Sequence, residues 1–200
     1  MEEIVEMKYS NYSLIRSENP KYMGFLIAKN AHSSMRDYLK QHTCNATFKY
    51  NAVFLQGEWK NYFKFTFVRN PWDRLVSCWK NKIVESAYAG EQNTKMEFSE
   101  FVYEITNGKW KNHNDIHWCL QTSRFPTDCV DFIGRFENLK NDFDYVCSQL
   151  NIPHNKLFHY NKTKIDTNTH YTNYYSNEVR KLVDEKYEKD ISFLNYTFGE

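Results

Sequence analysis

Residues 29–34 combine a cation with two hydroxyl groups in one short turn. The ammonium group of Lys29 precedes the hydroxyls of Ser33 and Ser34, and the turn leads into a predicted helix. Loop N–H groups and the positive end of a helix dipole bind anions such as phosphate. The turn therefore predicts an anion site, and a serine-capped helix beside a solvated lysine is the structural alternative. The six candidate binding residues are Lys29, Asn30, Ala31, His32, Ser33 and Ser34.

This turn differs from the phosphate loop of nucleotide kinases. That loop has the pattern G-x-x-x-x-G-K-[ST], with its lysine near the end. Here the glycines are missing and Lys29 comes first. A Mg²⁺-nucleotide site is therefore less favoured.

A second stretch, residues 69–77, offers a guanidinium group and another hydroxyl. Arg69 ends a predicted buried strand, and its planar fork can bind a phosphate through two parallel hydrogen bonds. Ser77 lies two turns into the following helix and off its apolar stripe, so its hydroxyl can face the same anion. A salt bridge at Arg69 with a surface hydroxyl at Ser77 is the alternative that this pattern leaves open.

Strand–loop–helix units must position these two stretches. The apolar run 25–28 predicts a strand that ends at the first stretch, with Ser33 and Ser34 as the N-cap of the next helix. The run 63–68 predicts a second strand. Asn70 followed by Pro71 predicts a helix start, because asparagine caps helices well and proline is favoured at the first helical position.

The remaining pattern continues this alternation of strands and helices. A hairpin is predicted at residues 12–16 with its turn at 19–20, and a further strand at 130–133. Apolar residues at helical spacing predict helices around 98–105, 139–150 and 179–187. The order of elements predicts an α/β fold with a mostly parallel central sheet flanked by helices. The length and the lack of any linker predict one domain over residues 1–200.

Composition limits the partners and the compartment. The net charge is +1, so no global field attracts nucleic acid or an anionic membrane. The N-terminus is acidic and no run of about 18 apolar residues occurs, which predicts a soluble, cytoplasmic chain without a signal or membrane segment. The five cysteines include no C-x-x-C pair, which favours a reducing compartment.

Six segments together resemble the PAPS-dependent carbohydrate (family 2) sulfotransferases, where PAPS is 3′-phosphoadenosine-5′-phosphosulfate. They are residues 28–34, 67–77, 117–121, 130–139, 161–163 and 187–198. Their order and spacing are similar to those of the family over roughly residues 22–198. Two departures are Ala28 and Leu120, which stand where proline is usual. Neither departure removes a charge needed for binding.

The resemblance implies a P-loop-like sulfotransferase fold and sulfuryl transfer from PAPS to a hydroxyl, expected to be on a carbohydrate. Lys29 would neutralise the leaving 5′-phosphate, and Ser33 and Ser34 would hold it. Arg69 and Ser77 would hold the 3′-phosphate. The transfer is an in-line displacement in which positioning and electrostatics dominate, and it requires no metal in principle. Residues expected to close over the cofactor are Asn161, Lys162 and Thr163.

The acceptor hydroxyl needs a general base, because its pKa is far above neutral. The resemblance favours His117, which lies in the segment similar to the H-x-x-P-Q element of the family. A histidine satisfied by core hydrogen bonds is the structural alternative. Other candidate bases are His113, His32 and Glu58. A zinc site is an alternative interpretation of four residues, but their spacing matches no common structural zinc site. They are His113, His117, Cys119 and Cys129.

Two other functions remain open at this point. One is a P-loop-like kinase that uses ATP and Mg²⁺, against which the missing glycine spacing argues. The other is a non-catalytic module that binds the nucleotide without transferring a group.

Overall fold

The computed structural model describes residues 8–55, 59–85, 96–154 and 169–200. The chain divides into two compact units. The first comprises Met1–Val68 and Gln121–Tyr160, and the second comprises Arg69–Leu120 and Asn161–Glu200. The single domain predicted over residues 1–200 stays a prediction.

The first unit contains a mixed five-stranded sheet. Its strands are β1 (Lys8–Glu18), β2 (Lys21–Phe25), β3 (Thr47–Leu55), β4 (Phe63–Val68) and β5 (Phe132–Arg135). They lie in the order β3-β1-β2-β4-β5. Strands β2, β4 and β5 are parallel, whereas β1 is antiparallel to both β2 and β3. The carboxyl ends of the three parallel strands therefore lie at one edge of the sheet, where α/β proteins bind ligands.

Six α-helices are described over the two units. They are α1 (His32–His42), α2 (Pro71–Trp79), α3 (Phe98–Thr106), α4 (Leu139–Leu150), α5 (Asn177–Lys186) and α6 (Glu188–Leu194). Helices α1 and α4 belong to the first unit, where Met35, Leu39 and Phe143 pack with Phe65 and Phe67 of β4 in one buried core. None of the described helices is long and apolar enough to cross a membrane.

The second unit is helical. Asn70 caps α2, because its side-chain oxygen accepts hydrogen bonds from the amides of Trp72 and Asp73 at 3.1 and 3.3 Å. The Asn70 amide group also donates to the Tyr171 hydroxyl and to the Thr197 carbonyl. This cap therefore ties the start of α2 to the C-terminal part of the unit.

The α/β fold class is confirmed, and the sheet is mixed rather than mostly parallel because β1 pairs antiparallel with both β2 and β3. The predicted strand 63–68 and the helix start at Pro71 are confirmed. The predicted strand at 25–28 lies earlier, at Lys21–Phe25, and the strand at 130–133 lies later, at Phe132–Arg135.

Two sequence interpretations need correction. The serines at 33 and 34 are not N-caps, because α1 begins at His32 and its N-cap is Ala31, which makes no side-chain capping bond. Strand β3 was not predicted, although it is the longest partner of β1.

Candidate functional site

The loop between β2 and α1 has an unusual backbone. Lys29 and Ala31 have positive φ values of 74° and 58°, which L-residues other than glycine seldom adopt. Each such residue costs about 1–2 kcal/mol relative to the right-handed region. Left-handed residues in a turn point successive N–H groups into a concave surface that binds anions. Because α1 begins at His32, its positive dipole end adds to this surface.

Asn30 holds this loop against the sheet. Its fully buried side chain donates to the Phe67 carbonyl of β4 at 2.9 Å and to Gln121 Oε1 at 2.7 Å. The backbone amide of Asn30 also donates to the Ile27 carbonyl at 3.2 Å. The loop is therefore fixed beside the carboxyl end of β4, and Asn30 acts by positioning it.

The hydroxyl residues of the first turn of α1 differ in exposure. Ser34 is buried and Ser33 is half-buried. Among the described residues, none forms a hydrogen bond with the Ser33 hydroxyl. The His32 ring packs edge-on against Phe48 at 5.4 Å and stacks on Tyr50 at 6.2 Å. Ser33 is thus the more exposed of the two hydroxyl residues, whereas His32 belongs to an aromatic cluster with β3.

In the second unit, Arg69 forms a salt bridge. Its Nε donates to Asp73 Oδ2 at 2.7 Å, one helical turn further on, and both side chains are largely buried. The structure therefore contains the salt bridge at Arg69 that the sequence left open as an alternative. This bond uses Nε and orients the plane of the guanidinium group. Ser77 is half-buried on α2, and no described residue is bonded to its hydroxyl.

His117 is paired with a carboxylate. Its Nδ1 lies 2.7 Å from Asp115 Oδ1, and its backbone amide donates to the same oxygen at 2.8 Å. An ionised carboxylate only accepts hydrogen bonds, so Nδ1 carries a proton and Nε2 is the basic nitrogen of the neutral ring. Burial raises the pKa of Asp115, but the hydrogen bonds and charge of His117 outweigh it and lower that pKa below its usual range.

Two buried side chains hold the segment around His117. Arg74 donates from Nη1 to the Cys119 carbonyl at 2.7 Å and from Nη2 to the Ile116 carbonyl at 3.1 Å. The Tyr187 hydroxyl donates to the Trp118 carbonyl. Burial raises the pKa of Tyr187 well above its usual value, which keeps the phenol neutral and able to donate. The imidazole is therefore presented by a segment whose carbonyls are fixed on both sides.

A sequence model described as the sulfotransferase family matches residues 11–197, nearly the whole chain. The chain belongs to the sulfotransferase family. This confirms the resemblance found in the sequence motifs.

Several curated carbohydrate sulfotransferases are similar to this sulfotransferase-family chain. Carbohydrate sulfotransferase 8 of Homo sapiens is 28% identical over 121 residues, which are 48% of this chain and 28% of that protein. Carbohydrate sulfotransferase 9 of Homo sapiens is 26% identical over 170 residues, covering 68% and 38%. Carbohydrate sulfotransferase 14 of Danio rerio is 28% identical over 165 residues, covering 68% and 44%. The chain thus spans less than half the length of these three relatives. No solved structure is significantly similar to it.

Membership of the sulfotransferase family implies a sulfate donor, and the first unit has a loop that fits one. Left-handed backbone at two positions, a helix start and a neighbouring lysine in the sequence are features that anion-binding loops share. Within the residues that the structure describes, no group of three His, Cys, Asp or Glu side chains is arranged to hold a metal ion.

The predicted site residues fall into three groups. The residues 29–34 lie together at one loop of the first unit. In the second unit, His117 is paired with a carboxylate. Arg69 and Ser77 also belong to the second unit. The predicted cofactor-closing residues 161–163 and the candidate base Glu58 lie outside the described residues. His113 is exposed.

Three positioning residues were not assigned a role from the sequence. They are Asp115, Arg74 and Gln121. Asp115 precedes His117 by two residues, and this Asp-x-His spacing was the one available signal. The bonds of Arg74 and Gln121 join residues more than 40 positions apart, so no local pattern could indicate them.

Proposed function

We propose that this chain transfers a sulfuryl group from PAPS to a hydroxyl group of a carbohydrate. The observation that carries the proposal is the β2–α1 loop, in which Lys29 and Ala31 adopt left-handed conformations directly before a helix start. The family of the chain supports the sulfuryl chemistry. The names of the similar proteins, all carbohydrate sulfotransferases, support a sugar acceptor.

The β2–α1 loop would hold the 5′-phosphate side of the donor, which supplies an activated sulfuryl group when bound. As the acceptor oxygen forms a bond to sulfur, the bond between sulfur and the bridging phosphate oxygen breaks. Lys29 would neutralise the charge that develops on this leaving oxygen. Ser33 and Ser34 and the first amides of α1 would bind the remaining phosphate oxygens. Such charge-assisted hydrogen bonds favour the transition state when they strengthen as charge develops. Because Asn30 fixes the loop, these donors need little reorganisation.

Arg69 and Ser77 would bind the 3′-phosphate, which distinguishes PAPS from ordinary adenine nucleotides. Support comes from the salt bridge to Asp73, which orients the guanidinium fork, and from the Ser77 hydroxyl, which no described residue occupies. The role of Asn161, Lys162 and Thr163 in closing over the cofactor stays a prediction.

His117 would accept the proton of the acceptor hydroxyl at Nε2. Asp115 supports this role because it holds Nδ1 in the protonated tautomer and stabilises the imidazolium ion that forms. Arg74 and Tyr187 would keep the ring in register by fixing the neighbouring carbonyls.

The proposal is tested by incubating the protein with radiolabelled PAPS and an array of carbohydrate acceptors. We expect label transfer that Lys29→Ala reduces by at least about 10- to 100-fold, the effect of losing one hydrogen bond from a charged group. Lys140→Ala is the matched control, because Lys140 is an exposed α4 lysine that pairs with Asp144 on the same helix. Adenosine 3′,5′-bisphosphate binding without any transfer would indicate a non-catalytic module. Mg²⁺-dependent ATP turnover would indicate a kinase instead.

The cytoplasmic location stays a prediction. Cell fractionation with an antibody against the chain would test it, and recovery in the membrane fraction would contradict it.

A further inference from the structure

The second unit contains a cavity that the proposed chemistry has not used. Its volume is about 210 Å³, and its lining includes Lys111, His113, Trp118 and Lys186. This volume is below the range of roughly 300–1,000 Å³ that is typical of sites for drug-sized ligands. The cavity therefore suits one small group or a single sugar ring rather than an extended chain.

One lining residue of this cavity, Trp118, carries a buried donor that has no acceptor among the described residues. Trp118 is 4% exposed, and its ring lies between Trp110, which it stacks on at 5.9 Å, and the edge of Phe101 at 5.8 Å. Its Nε1 is buried and has no hydrogen-bond partner among the described residues. Buried indole N–H groups usually have one, because leaving a donor unpaired away from water costs free energy. A ligand oxygen would supply the missing acceptor.

Two ammonium groups share the cavity with this donor. Neither Lys111 nor Lys186 forms an ion pair with a described carboxylate. Burial lowers the pKa of Lys186. The nearby Cys119 thiol raises this pKa, and the charge of Lys111 lowers it further. Two like charges at one cavity repel each other, and an anion between them removes this repulsion.

We propose that this cavity is a subsite for an acidic group, a carboxylate or a sulfate ester, on the acceptor carbohydrate. The proposal rests on the proposed function, because it places acceptor recognition in the same segment as the candidate base. Trp118 directly follows His117 in the chain, and the carbonyls on both sides of His117 are fixed by Arg74. A sugar anchored at Trp118 and Lys186 would thus be recognised by the segment that carries the imidazole.

The test is a binding measurement that needs no donor. Indole N–H signals of the ¹⁵N-labelled protein are recorded with methyl glucuronide, with the 6-sulfate ester of methyl glucoside, and with neutral methyl glucoside at equal concentration and ionic strength. The Trp118 signal is identified by its loss in Trp118→Phe or, if that variant is unstable, by its through-space contacts to the Trp110 ring. We expect the signal to shift with at least one acidic sugar and not with the neutral one. Comparison of the glucuronide titration with the sulfate-ester titration shows whether the cavity binds a carboxylate or a sulfate ester.

Lys186→Gln should reduce this shift at least about tenfold at a given sugar concentration, whereas Lys189→Gln, at an exposed lysine of α6, should leave it unchanged. Equal shifts with acidic and neutral sugars, no shift at Trp118, or an unchanged shift in folded Lys186→Gln would overturn the proposal. Its failure is separable from that of the proposed function. Label transfer without a Trp118 response rejects the subsite alone, and a Trp118 response without label transfer to any acceptor rejects the sulfotransferase activity alone.

Discussion

The β2–α1 loop of the first unit and the His117 segment of the second are both held by buried polar side chains, but they differ in which atoms they offer. In the β2–α1 loop, Asn30 fixes a backbone that is left-handed at Lys29 and Ala31 and that leads directly into the start of α1. In the His117 segment, Arg74 bonds to the carbonyls. The main-chain carbonyls there are already hydrogen-bonded, so the groups that this segment offers are side chains.

The difference separates two tasks of a group transfer. An anion that must be bound in the ground state and stabilised as it leaves is served by fixed dipoles, whose strength does not depend on pH. A proton that must move is served by a titratable ring in a fixed tautomer. Substitutions in the first region should therefore change donor binding, stabilisation of the leaving group and the stability of the fold, and substitutions in the second should change turnover without weakening donor binding.

Replacement of the imidazole should have the largest effect. His117→Ala should lower kcat by about 10²–10⁴-fold, the usual contribution of a general base, and leave the affinity for adenosine 3′,5′-bisphosphate unchanged. Steady-state kinetics and calorimetry measure the two quantities. His154→Ala is the control, because His154 is exposed and lies outside the proposed sites. If the two variants turn over equally fast, His117 is not the base.

Asp115→Asn should have a smaller effect of the same kind. The ring remains, but an amide no longer holds Nδ1 in the protonated tautomer, so kcat should fall about 10- to 100-fold, as when a partner that orients a functional imidazole is removed. KM for the acceptor should change little. A rise in KM with unchanged kcat would show that the carboxylate serves binding instead.

Removal of the loop anchor should appear mainly as lost stability. Asn30→Ala leaves the Phe67 carbonyl and Gln121 Oε1 buried without their donor, so the free energy of unfolding should fall by about 1–3 kcal/mol. Denaturant unfolding measures this loss. Asn141→Ala removes an exposed asparagine bond on α4 and should cost much less. Equal losses in the two variants would mean that the loop is not anchored through Asn30.

The smallest expected effect is on acid stability. The folded pKa of Asp115 lies below its ordinary value of 3.8, so its carboxylate favours the folded state above that pH, and this contribution is lost as the pH falls through the folded pKa. The stability difference between the wild type and Asp115→Asn should therefore shrink below about pH 4. A difference that grows as the pH falls would reverse the sign of the shift.

Local signals were enough to predict part of the fold. The strand 63–68 and the start of α2 agree with the structure because an apolar run, an Asn cap and a Pro at the first helical position lie next to each other in the sequence. Strand β3 was not predicted, although Phe48 and Tyr50 alternate with polar residues, because its partner β1 lies more than 30 residues earlier in the sequence. Its pairing is a tertiary effect that overrides weak local preference.

The candidate site was predictable where its chemistry lies within one segment. Lys29, Ser33 and Ser34 share one loop, so their grouping is visible in the sequence. The positive φ of Ala31 was not, because glycine or asparagine normally marks such a position. The anchoring of the loop by Gln121 and of the His117 segment by Arg74 depends on distant residues that only the fold brings into contact.

The central claim is that the β2–α1 loop belongs to a site for a 3′-phosphorylated adenine nucleotide. The most direct test is calorimetric titration of the wild type, Lys29→Ala and Arg69→Ala with adenosine 3′,5′-bisphosphate and with ADP. Arg180→Ala is the matched control, because Arg180 forms the same one-turn pair with Asp184 that Arg69 forms with Asp73. We expect the wild type to bind the bisphosphate more tightly than ADP. The affinity for the bisphosphate should fall by about 10- to 100-fold in Lys29→Ala and in Arg69→Ala, but not in Arg180→Ala. Equal affinities for the two nucleotides in the wild type would contradict the claim.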